Sequence, residues 1–132
     1  MGLLLSAAST GLSMPSTKPG YEVPQAFKDY FRLLYGDCWE ILVSRQRGYG
    51  PTNIEALGPH GVFSRLASDK CARVWNSMNG SIEGGKINLN DDWYGPEVRD
   101  ALIDIANYAM IMISLGEEKW STLARGNDGE RG

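Results

Sequence analysis

Apolar residues recur at steps of three and four through three stretches of the chain, and each stretch predicts an amphipathic helix. From Gln25 to Arg47 the apolar set is Phe27, Phe31, Leu34, Tyr35, Cys38, Trp39, Ile41 and Leu42. Gly36 is a point where this helix bends or splits, and Gly48 is where it stops. From about Val62 to Met78 the set is Phe63, Leu66, Ala67, Cys71, Val74, Trp75 and Met78. The third helix starts near Pro96, a residue favoured in the first turn, and runs to about Leu115, with Gly116 as its natural stop.

The connecting segments are written in turn residues. Gly48-Tyr49-Gly50-Pro51-Thr52-Asn53 is a turn by composition, and Thr52 or Asn53 caps a short helix over Ile54 to Leu57. Gly58-Pro59-His60-Gly61 breaks that helix. Residues 80–92 form a loop that admits a hairpin around Gly84. Residues 1–23, rich in Ser, Pro, Gly and Thr, read as a flexible arm; 24–116 as a single helical domain; 117–132 as a polar tail on which Trp120 and Leu123 fold back. The expected fold is all-α: three main helices plus short helices in a small bundle, with flexible N- and C-terminal arms.

Composition changes this picture little. The 132 residues suit one domain. A formal net charge of -3 and a pI near 5.1 carry no strong nucleic-acid signal and no attraction to an anionic membrane. The N-terminal run Leu3-Leu4-Leu5 is too short for a membrane span and lacks the basic flank of a signal peptide. Cys38 and Cys71 lie in separate predicted helices, outside any CxxC pair, and read as reduced thiols of a cytoplasmic protein.

The polar positions inside the apolar helices change it more. Glu97, Asp100, Asp104 and Asn107 step by three, four and three, so they share one face of the third helix. Glu97 and Asp100 have an inexpensive role near a helix N-terminus. Asp104, between Ile103 and Ile105, does not; a buried carboxylate is costly unless a metal, cation or hydrogen-bond donor meets it. Asp37 and Glu40 form a DxxE step on the first helix, and two acidic pairs facing across a bundle suit a divalent metal such as Mg²⁺. On the second helix, Arg65, Asp69 and Arg73 form an i, i+4, i+8 ladder. Lys70 and Arg73 share a face suited to a phosphate chain. A plainer reading pairs Asp104 with Lys70 or Arg73 across the bundle.

Three of these segments occur in an order that resembles a known family. Arg47-Gly48-Tyr49-Gly50, Asp69-Lys70-Cys71-Ala72-Arg73, and Asp100 through Ala109 with Asp104, Asn107 and Tyr108 look like the nucleotide modification associated domain 1 proteins, small helical proteins of phages and bacteria. The likeness spans about residues 28–115. In outline the chain is also similar to the MazG and dUTPase-like all-α nucleoside triphosphate pyrophosphohydrolases, which hold Mg²⁺ on ExxE and ExxD pairs. Here Asp37 replaces the first Glu, and Asp104 falls one turn beyond the second pair.

The resemblance implies a phage-type nucleotide-handling protein of the cytoplasm, the host's if phage-encoded. As an enzyme, it is expected to cleave a nucleoside triphosphate to monophosphate and pyrophosphate. Glu40, Glu97, Asp100 and Asp104 then hold Mg²⁺, with Glu40 and Asp104 catalytic. Lys70 and Arg73 neutralise phosphate, Tyr49 and Asn53 contact base or sugar, and Asn107 and Tyr108 complete the substrate-binding set. The alternative is a non-catalytic binder of a nucleotide or nucleotide-like signal, or of a host protein. Either form is expected as a homodimer or higher homo-oligomer.

Overall fold

The structure, a computed structural model, describes residues 19–83, 86–89 and 91–131. The chain divides into two units, Met1–Arg32 and Leu33–Gly132. In the first, the described residues are a turn and the opening turns of a helix, where the Phe27 and Phe31 rings lie 4.7 Å apart and Gln25 Nε2 donates to Asp29 Oδ1 at 2.8 Å. Residues 1–18 of the expected N-terminal arm lie outside the described residues.

The protein is an all-α small bundle with one hairpin. Its elements are α1 (Gln25–Tyr49), α2 (Asn53–Ser64), a π-helical segment (Arg65–Lys70), α3 (Cys71–Met78), β1 (Asn79–Glu83), β2 (Lys86–Leu89), α4 (Pro96–Gly116) and α5 (Trp120–Arg131). The strands pair antiparallel, with Ile82 opposite Ile87 and Glu83 opposite Lys86, so a hairpin stands where the sequence admitted one. No helix among the described residues is long and apolar enough to cross a membrane.

α4 is the axis of the second unit: α2, the π segment, α3 and α5 all pack on it. Its buried stripe is Val98, Ala101, Asp104, Asn107 and Ile111, at helical steps, joined by Ile103. Ile111 meets Ile54 and Val62 in the core cluster, which Leu42, Leu57, Tyr108, Met112, Leu115 and Trp120 surround.

Several boundaries differ from expectation. α1 passes Gly48 and ends where Gly50 turns back with φ 82°. Only Gly58 leaves helical geometry in the Gly58–Gly61 break, with φ 69° and ψ 173°, so the helix resumes at Pro59 instead of Val62. Proline restricts the residue before it and is at home in a first helical turn, which favours restarting there. The stretch expected as a polar tail forms α5, with Gly126 out of helical geometry at φ 53°.

The predicted core is also wider than the observed one. Of the apolar residues at helical spacing in the second unit, Tyr35, Trp39, Phe63 and Trp75 are exposed. Periodicity identifies an apolar face; it does not supply a neighbour to cover it.

Candidate functional site

The site grows from one buried carboxylate. Asp104 is 5 % exposed, midway along the buried stripe of α4. Arg45 of α1 donates through Nη1 to its Oδ1 at 2.5 Å, and Lys70 Nζ stands 3.1 Å from its Oδ2. Both oxygens therefore face a cation, which offsets the cost of burying the charge. Lys70 is well covered, whereas the Arg45 side chain remains 44 % exposed. The plainer sequence reading of Asp104 is thus realised with Lys70. Arg45 was not among the candidates, because nothing local marks it: it is one exposed arginine on a long helix.

The π-helical segment positions Lys70. A π turn closes i→i+5 bonds, so it shifts the angular phase of the residues it carries. The expected ladder is consequently only half formed. Arg73 Nε donates to Asp69 Oδ1 at 2.8 Å, but Arg65 leaves the row and lines a cavity on the other side of Asp104.

Two adjoining cavities flank the Arg45–Asp104 pair, which lies on the wall of both. One, of about 230 Å³, is lined by Tyr49, Asn53, Asn107 and Tyr108, with Arg65 at its edge and Leu42, Ile54, Leu57 and Ile111 as apolar wall. The other, of about 420 Å³, is lined by Lys70, Arg73, Glu97, Asp100 and Ala101. Tyr49 and Asn53, expected to touch base or sugar, thus share the first cavity with Asn107 and Tyr108, and the two expected to meet phosphate share the second. A larger groove of about 700 Å³ is mainly apolar, walled by Trp39, Val43, Met110, Trp120 and Leu123, and holds none of the candidates.

The acidic set does not assemble. Asp37 pairs with Arg99 of α4 at 2.6 Å, and the carboxylate beside it raises the Arg99 pKa. Glu40 is exposed and lines none of these three cavities, so it does not join Glu97, Asp100 and Asp104. Among the described residues no three of His, Cys, Asp and Glu come together as a metal-holding group. Asp104 and Asp37 are instead met by arginines of α1 and α4. The residues present therefore do not fit a ready-made Mg²⁺ centre.

Asn107 completes the first cavity. It is 6 % exposed, and its Nδ2 donates to the Cys38 carbonyl of α1 at 3.1 Å. With Arg45–Asp104 and Arg99–Asp37, this makes three polar links between α1 and α4. Compared with protein-family models, with curated proteins and with solved structures, the chain matches none.

Proposed function

We propose that this protein binds a nucleotide or nucleotide-like molecule, with the ring system in the 230 Å³ cavity and the phosphates over Lys70 and Arg73. The observation that carries the reading is the difference between two cavities joined at Arg45 and Asp104: aromatic, amide and apolar side chains with Arg65 in one, and Lys70 and Arg73 beside Glu97 and Asp100 in the other. A cavity of this size takes one heterocycle, and Tyr49 and Tyr108 offer faces for stacking. The cations have donors to spare. An ammonium carries three and a guanidinium five. Lys70 has one carboxylate within normal hydrogen-bonding distance, and Arg73 spends Nε on Asp69. The order of the three sequence segments that resemble nucleotide-handling proteins supports the same reading.

Titration calorimetry with the common ribo- and deoxyribonucleoside triphosphates tests it. Binding that weakens from triphosphate to nucleoside is the expected result. Absence of binding by every member, in folded protein, overturns it and leaves a host protein as the ligand to seek.

Pyrophosphate release from a triphosphate is the second reading. Glu97 and Asp100 favour it, because they line the same cavity as Lys70 and Arg73. Mg²⁺ typically binds through one or two carboxylates together with substrate phosphates. The side chains do not form that centre by themselves, so no step is derived through the metal. A pyrophosphate assay with Mg²⁺ or Mn²⁺ decides between binder and hydrolase.

We also take the protein to be cytoplasmic and to self-associate. α4 carries a second apolar row, Leu102, Met110 and Ile113, which is exposed on the side away from its buried stripe. A helix apolar on two sides calls for cover on both.

A further inference from the structure

From Ala101 to Gly116, α4 carries one charged residue, Asp104, and that one is buried. The side that the bundle leaves open is therefore uncharged. Leu102, Ala106, Ala109, Met110 and Ile113 are all exposed there. At 3.6 residues per turn they fall within about 100° of one another, on the side opposite Asp104. Charge enters this row only at its ends, with Arg99 at one and Glu117, the residue that caps the helix, at the other.

The row complements itself when reversed. Set the helix against a copy running the other way, with a two-fold axis at the level between Asn107 and Tyr108. Ala106 then stands opposite Ala109, Leu102 opposite Ile113, and Arg99 beside Glu117. Two-fold contact demands such a surface, because one patch serves both copies. The small alanines fall next to the axis, where crossing helices come closest. Opposite charges meet at both ends, and each positive helix N-terminus faces the negative C-terminus of the copy. A parallel copy would instead set Arg99 on Arg99 and Glu117 on Glu117. Arg99 has donors left for this contact: one nitrogen serves Asp37, and its side chain stays 39 % exposed. Glu117 is exposed and enters no ion pair among the described residues. Met110 carries the row into the 700 Å³ groove, where Trp39 and Leu123 are also exposed. The patch is thereby wider than one helix, as an interface of about 800 Å² per partner requires.

We infer that two copies of this chain pack α4 on α4, antiparallel about a two-fold axis, with the Leu102–Ile113 contact and the Arg99–Glu117 pair each made twice. This rests on the self-association proposed above and supplies its geometry. Asp104, Asn107 and Tyr108 lie on other sides of α4, so each candidate site is built within one chain.

Cysteine cross-linking of the full chain tests both face and direction. Leu102→Cys and Ile113→Cys are made singly, and are also co-expressed under different tags; both positions are exposed, so neither thiol disturbs the fold. In antiparallel packing, like positions stand about 16 Å apart along the axis at 1.5 Å per residue, beyond the reach of a disulfide. Mild oxidation is therefore expected to link the mixed pair and neither single variant to itself. Wild type, which keeps Cys38 and Cys71, is the blank, and peptide masses name the linked residues. Glu117→Lys, a change that suits a helix C-terminus, is expected to raise the dimer Kd about tenfold at low salt, and less at high salt, by sedimentation equilibrium. Linkage of a single variant to itself, a dimer that links in no combination, or a Kd that Glu117→Lys leaves unchanged overturns the inference and leaves self-association standing. A wild type that stays monomeric at its highest soluble concentration overturns both.

Discussion

Lys70 Nζ stands 3.1 Å from Asp104 Oδ2, joining the end of the π-helical segment to the middle of α4. Both side chains are largely covered, so neither charge is easily hydrated when the other is removed. Asp104→Asn is expected to cost about 3 kcal/mol, the lower end for breaking a buried ion pair, since Arg45 can return to water. In a cycle with Lys70→Ala the two losses fall short of additivity by about 1–2 kcal/mol. Urea denaturation of the four proteins measures this, and additive losses would dissolve the pair as a stabilising unit.

Removing donors from the second cavity tests the phosphate end separately. Lys70→Ala and Arg73→Ala are each expected to lower triphosphate affinity about tenfold, which is about 1.4 kcal/mol. Both effects shrink as salt rises, because the partner is an anion reached partly through solvent. Calorimetry at two ionic strengths reads the change.

Gly58 holds φ 69° and ψ 173°, backbone that a side chain resists, yet a Cβ there meets nothing within 4 Å. Gly58→Ala therefore isolates conformational strain from packing. The expected loss is about 1–3 kcal/mol, seen as a lower Tm with no change in ligand binding. A neutral substitution would show that the kink between the two parts of α2 relaxes freely.

Glu55 ties α2 to α5 through Arg125 at 2.5 Å. The Ser121 hydroxyl and the Arg125 guanidinium hold its carboxyl below the usual value of 4.5. A carboxyl depressed on folding stabilises above its unfolded pKa, and that contribution is lost as pH falls through the lower folded value. Thermal melts of wild type and Glu55→Gln should therefore differ at pH 7 and converge only as pH falls through the lowered folded pKa. A gap that widens toward acid would contradict the sign.

Ile113 is 57 % exposed on the outer row of α4. If this row is the self-association face, Ile113→Glu yields a monomer by light scattering, with its melting temperature nearly independent of protein concentration. An unchanged mass would move the contact elsewhere.

The sequence by itself determined the three main helices and the burial of Asp104. A periodic run of apolar residues has only one way to hide from water while bonding its own backbone. A carboxylate between two isoleucines is carried inward with them. Asn107 follows from the same periodicity, three residues on. The tertiary structure decided what meets those groups. Arg45 lies 59 positions from Asp104 and nothing local marks it as a partner, while the sequence offered Lys70 and Arg73 alike and only packing chose Lys70. Nor does spacing reveal the π turn that moves Arg65 out of its ladder, or the arginine that takes Asp37 from the acidic set. Ion pairs and cavities depend on how far apart helices stand and how each is rotated. Packing of the whole bundle sets those distances and rotations, so Asp104 and Asp37, two of the carboxylates that looked like a metal site, are met by cations instead.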